Sequence, residues 1–113
     1  MLSIDSLRVF GANTDEGLSR CMGNEGFYLR MVKLACGDAN FEALAEAVER
    51  NDLNAAFEAA HALKGVLANL ALTPISEPVG VLTEQLRSRT PGDYRGQVEE
   101  ILALRGDLRA MDG

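Results

Sequence analysis

The sequence predicts an all-α protein, and three observations carry the prediction. No segment combines β-branched enrichment with a sustained alternation of apolar and polar residues. Apolar residues instead recur at intervals of three and four along most of the chain. The composition, 47% hydrophobic and 25% charged with three prolines in 113 residues, suits one compact core.

The elements follow in order. Thr14 and Asp15 are candidate caps for a short first helix through about Met22. Asn24 is a candidate cap for a second, with Phe27, Met31, Leu34 and Ala35 as its apolar positions. Gly37 interrupts. Asp38 or Asn40 opens a third helix with Phe41, Leu44, Ala45 and Val48 on one side and Glu42, Glu46, Glu49 and Arg50 on the other. Asn51 ends it, and Asp52 is placed to cap the next. A fourth helix is predicted from about Leu53 to Leu70, a stretch free of proline, with one glycine and six alanines. Pro74 and Pro78 argue that the chain turns after Ala71 and restarts near Ser76, with Ile75, Val79, Leu82 and Leu86 on the apolar face. Thr90, Pro91 and Gly92 make a turn, after which Tyr94, Val98, Ile101, Leu104, Leu108 and Met111 mark the last helix. Short connections make successive helices antiparallel neighbours. The expected architecture is an antiparallel up-down four-helix bundle over about residues 38–111, inside one domain covering 1–113, with one or two extra short N-terminal helices at one end.

Composition removes several classes of function. Seventeen acidic against eleven basic residues give a net charge of -6, which repels phosphate backbones and supplies no basic stripe for nucleic acid. Cys21 and Cys36 have no cysteine or histidine at zinc-ligand spacing and read as buried or half-buried free thiols. No metal site is expected, since one histidine without a Glu-x-x-His pairing leaves a bundle site short of nitrogen ligands. The N-terminus lacks a basic stretch leading into a long apolar one, and no run of about 18 apolar residues occurs. The expectation is a cytoplasmic protein without membrane attachment. A phosphate-cradling loop of the Gly-x-x-x-x-Gly-Lys-Ser/Thr kind and room for a nucleotide-binding domain are both missing, so a complete kinase is excluded.

The informative residue is His61, the one histidine in the chain. At roughly 100° per residue, Leu53, Ala56, Ala60, Leu63, Leu67 and Leu70 form a contiguous apolar arc centred about 130° from it. His61 therefore points outward. Beside it lie Glu58, Gly65 and Ala68, with Phe57 and Lys64 toward the core edge. Gly65 in mid-helix costs roughly 1 kcal/mol relative to alanine. Either close approach by a second protein or tight packing against a neighbouring helix accounts for it. Lys64, one turn after His61, can reach along the surface toward the imidazole. Neutral imidazole is a competent nucleophile near neutral pH, and a lysine there can offset the charge of a phosphoryl group.

These residues carry a resemblance. Ala60-His61-Ala62-Leu63-Lys64-Gly65 followed by Ala68-Asn69-Leu70 resembles the signature of histidine-containing phosphotransfer (HPt) domains. Weaker likeness extends from Asn24-Glu25-Gly26-Phe27-Tyr28-Leu29 through Asn51-Asp52-Leu53 to the stretch from Leu82 to Leu86. The resemblance implies that His61 is the phosphoacceptor, that Lys64 assists at the phosphoryl group, and that Gly65 leaves room for a receiver domain; Ala68, Phe57 and Glu58, placed beside His61 by the helical spacing, complete the expected docking surface. Its implied partners are receiver domains of response regulators or a hybrid histidine kinase. It implies no cofactor of the chain's own, the Mg²⁺ belonging to the partner receiver, and a carrier that acts as a monomer without kinase activity. Two departures from the family pattern are Ala71, where glycine is usual, and the proline-rich run from Thr73 to Pro78. Met1 and the last helix favour a free-standing carrier between receiver aspartates. The rival readings are a non-catalytic helical adaptor that binds a receiver or kinase, and the phosphoacceptor domain of a larger histidine kinase.

Overall fold

The computed structural model describes residues 2–112, which form seven helices and no strand among the described residues. They are α1 (Ile4–Phe10), α2 (Thr14–Arg20), α3 (Glu25–Cys36), α4 (Asn40–Glu49), α5 (Leu53–Asn69), α6 (Thr73–Arg87) and α7 (Arg95–Asp112). The last four make the predicted bundle. Short links turn each helix back on the one before, so neighbours run antiparallel. The helix bearing His61, α5, packs most closely on α4 and α6, and α7 closes the ring against both of those. Cys21 and Cys36 are buried free thiols, and burial pushes the Cys36 thiol up.

Three helices precede the bundle where the sequence indicates one or two. The additional one is α1, opened by a reciprocal pair of hydrogen bonds in which the Ser6 amide donates to Ser3 Oγ at 3.0 Å and the Ser3 amide to Ser6 Oγ at 2.9 Å. This box has serine where glutamate or glutamine is usual, and Leu7 is the one buried residue of α1, so the sequence signal is faint. In α2 the cap is Asn13, whose side chain accepts from the Glu16 amide, rather than Thr14 or Asp15, and the helix ends at Arg20 before Met22. Asn24 caps α3 as expected, but the buried face there is Tyr28, Val32, Ala35 and Cys36, while Phe27 and Leu34 are exposed. Asp52 caps α5 through the Ala55 amide, and Asn51 ends α4 in the left-handed conformation.

The restart after α5 also differs from expectation. Helix α6 begins at Thr73 rather than near Ser76, and Pro78 lies inside it. Pro74 falls in the first turn, where amides have no intrahelical partner. Pro78 comes four residues later, so the hydrogen bond it forgoes is the one to the Pro74 carbonyl. An interior proline costs about 3 kcal/mol. Fully buried Ile75, Val79, Leu82 and Leu86 each contribute about 1.5–3 kcal/mol along one continuous face, which outweighs it.

The end of α5 explains why α3 is rotated. The last carbonyls of a helix have no partner within it. Here Leu72 N donates to Leu67 O at 3.1 Å and Ala71 N to Ala68 O at 3.0 Å, a Schellman turn with Ala71 at φ 55°. The N-terminal helices supply the remaining donors. Arg20, braced by an ion pair with Glu16, donates to the carbonyls of Ala68 and Asn69. Tyr28 Oη donates to the Leu70 carbonyl at 2.8 Å, and Asn13 N to that of Ala71 at 3.0 Å. To reach Leu70, the Tyr28 ring passes beneath α2 at Gly17, where a Cβ would stand 2.5 Å from the ring and hydroxyl. Burial pushes the Tyr28 phenol up, so the hydroxyl remains a donor.

Tyr28→Phe leaves the Leu70 carbonyl buried without that donor and is expected to cost about 1–3 kcal/mol, read from the urea midpoint. Gly17→Ala is expected to destabilise by a similar amount, about 1–3 kcal/mol, through overpacking against the phenol. Wild-type midpoints in both variants would mean that the N-terminal helices do not hold the end of α5.

Candidate functional site

The outward stripe of α5 is arranged as its periodicity predicts. Ala56, Ala59, Ala60, Leu63 and Leu67 are buried between α4 and α6. The three alanines among them let the flanking helices approach α5 closely. His61, Glu58, Gly65 and Ala68 are exposed, and Phe57 and Lys64 are half-buried toward α6. A methyl group at Gly65 would have no atom within 4 Å. Packing therefore does not require this glycine, and of the two accounts of it the neighbouring helix is removed.

Lys64 takes a different course from the one its spacing suggests. Its side chain crosses α6 at Gly80, where a Cβ would lie 3.9 Å from Lys64 Cε, and its ammonium pairs with Glu84 at 3.6 Å rather than with the imidazole. Arg87 holds the same carboxylate through two hydrogen bonds of 3.0 Å. The Arg87 hydrogen bond, aided by the charge of Lys64, holds the Glu84 carboxyl below the usual carboxylate range, and the pairing pushes Arg87 up. Lys64 and Glu84 are 41% and 57% exposed in their side chains, so water screens the pair and it contributes little to stability.

The imidazole of His61 lies against the ring of Phe57, one turn earlier, with centroids 5.5 Å apart and planes 7° from parallel. The guanidinium carbons of Arg89 and Arg87 stand 4.2 Å and 5.3 Å from the centroid of that ring. Arg89 reaches this place because it ends α6 in the left-handed region, φ 56°. From there its Nε donates to Asn54 Oδ1 at 2.8 Å and its Nη1 to the Arg87 carbonyl at 2.6 Å. The exposed face around His61 thus holds Lys64, Arg87 and Arg89 against Glu58 and Glu84, a locally cationic patch on an acidic protein.

The sequence reading does not point to Asn54, Glu84, Arg87 or Arg89. A signal for them existed. A helical hairpin folded at Ala71 carries the end of α6 back along the first turns of α5, and Arg87-Ser88-Arg89 is the basic stretch that arrives there. On the other side of the α5 stripe, Phe27, Leu34 and Val66 are exposed apolar residues bordering a shallow groove between α3 and α5. Among the described residues, no cluster of three or more His, Cys, Asp or Glu side chains is placed to hold a metal ion. None of the described helices is long and apolar enough to cross a membrane.

The sequence model of the Hpt domain family matches residues 34–112, from the end of α3 through the whole bundle. The chain belongs to the Hpt domain family. Neither a curated protein nor a solved structure matches it. Membership gives it a histidine phosphotransfer role in phosphorelay signalling, in which Hpt domains interact with receiver domains. Helices α1 and α2 and most of α3 lie outside the Hpt match, although they supply the donors that close α5.

Since a Cβ at Gly65 would meet open space, Gly65→Ala is expected to raise stability by about 0.5–1 kcal/mol, the difference in helix propensity. Thermal or urea unfolding reads this directly. A loss of stability instead would mean that the position is packed after all.

Proposed function

We propose that His61 is the phosphoacceptor and that the protein carries a phosphoryl group on it between receiver-domain aspartates. The observation that carries this reading is the exposure of the chain's one histidine on the outward stripe of α5, within the matched span and beside the open space at Gly65. In the loading step the lone pair of a neutral imidazole nitrogen attacks the phosphorus of an aspartyl phosphate on the receiver. The N–P bond forms as the acyl-phosphate P–O bond breaks, and the receiver's carboxylate leaves. Discharge to a second receiver is the same displacement in reverse. The Mg²⁺ this chemistry uses is expected in the partner's acidic pocket.

Phosphorylated His61 bears nearly two negative charges. Lys64 supplies compensation by exchanging Glu84 for the phosphoryl oxygens, a change of partner that is inexpensive because the exposed ion pair is weak. Arg87 and Arg89 add positive potential, which favours the approach of an acidic receiver surface. Gly65, Ala68, Phe57 and Glu58 form the surface that the receiver covers, and a glycine at the closest point keeps side chains out of its path.

Incubating the protein with a panel of phosphorylated receiver domains and following acid-labile, alkali-stable label tests this reading. His61→Gln is expected to keep full helical content and take up no label, and label on another residue would overturn the assignment. Lys64→Ala is expected to slow transfer in both directions while changing stability by about 0.5 kcal/mol or less. Equal rates would reduce Lys64 to a bystander. Gly65→Gln separates docking from chemistry: it is expected to stay folded and lose receiver-driven labelling severalfold, yet still accept phosphate from phosphoramidate. Undiminished transfer from receivers would remove Gly65 from the docking surface.

A further inference from the structure

A nucleophilic imidazole in a protein is commonly oriented by a hydrogen bond from its second nitrogen. No such bond to His61 exists among the described residues. Its ring lies in near-parallel contact with Phe57 instead. Phe57 is in turn covered by its neighbours. It is half-buried at the α5–α6 seam, and the guanidinium of Arg89 lies 4.2 Å from its centroid. That guanidinium is anchored at two points, Asn54 Oδ1 and the Arg87 carbonyl. The left-handed conformation of Arg89, unusual for a long side chain, is what turns it back over α5.

We infer that Phe57 is a positioning residue for His61, with Arg89 as the support that holds Phe57 in place. The inference rests on the reading of His61 as phosphoacceptor and assigns it the means of its orientation. An exposed histidine on a helix samples more than one χ1 well and turns broadly about χ2. Stacking against a fixed ring selects one plane for the imidazole, so the attacking nitrogen is presented along one direction rather than averaged over several. Confinement of this kind speeds an in-line displacement by raising the fraction of productive geometry. With about two χ1 wells open to a helical residue and a broad, two-fold χ2, freeing the ring is expected to slow transfer about threefold. Because the contact is aromatic, tyrosine replaces phenylalanine in this role and leucine does not.

The chain's single histidine makes the test unambiguous, since every imidazole proton signal belongs to His61. Three variants are compared with wild type, Phe57→Leu, Phe57→Tyr and Arg89→Gln, by proton NMR of the imidazole and by the initial rate of phosphoramidate labelling. The stack is expected to shift the imidazole proton signals from their positions in an unstacked histidine through the ring current of Phe57. The shift is expected to vanish in Phe57→Leu, persist in Phe57→Tyr and diminish in Arg89→Gln. Labelling is expected to fall about threefold in Phe57→Leu and to recover in Phe57→Tyr. Unshifted imidazole signals in wild type overturn the inference, as do equal labelling rates in Phe57→Leu and wild type. A wild-type protein that accepts no label from any donor overturns the carrier reading itself, while the NMR comparison still decides whether Phe57 orients the ring.

Discussion

The structure depends on how the last carbonyls of α5 are satisfied. A bundle helix that carries a reactive side chain must end within a few residues and reverse, and that reversal leaves carbonyl oxygens aimed away from the core. Leu72 and Ala71 provide two of the donors from within the turn. Arg20, Tyr28 and Asn13 provide the others from outside the bundle. The placement of α1 to α3 follows from this requirement. Gly17 opens a path for the Tyr28 ring, and the rotation of α3 that brings Tyr28 inward puts Phe27 and Leu34 on the surface.

With both ends of α5 closed, its inward face is left to apolar packing and its outward face to chemistry. Two of the three cations around His61 come from the neighbouring helix and its end. Glu84 and Arg87 lie on α6 and Arg89 just after it, and the short link at Leu70 to Leu72 sets their register against α5. The site is therefore a property of the hairpin rather than of one helix. Its charges are exposed, so they act on an incoming anion more than on the stability of the fold.

Much of this was legible in the sequence because α5 is strongly periodic. The buried positions Ala56, Ala60, Leu63, Leu67 and Leu70 and the outward place of His61 follow from counting residues. The capping roles of Asn24 and Asp52 were legible for a similar reason, since each side chain satisfies an amide three residues on. Tertiary demands hid the rest. Phe27 and Leu34 fit a helical stripe as well as Tyr28 and Val32 do, and tertiary contacts, the Tyr28 hydrogen bond to Leu70 among them, select between the two faces. Pro78 reads as a break until the burial on both sides of it is known. Lys64 turns to Glu84 rather than to His61, and sequence spacing along α5 says nothing about Glu84 on the next helix.

The donors from the N-terminal helices also bear on the order in which the chain assembles. An up-down bundle forms from contacts between sequence neighbours and so has low contact order. The hydrogen bonds from Tyr28 and Arg20 to the end of α5 instead close loops of 42 to 49 residues. Closing them requires the chain entropy of those loops to be given up before any of the bonds is gained. The last turn of α5 is therefore expected to be completed after the hairpins around it, and its amides to lose protection when the N-terminal segment lifts away.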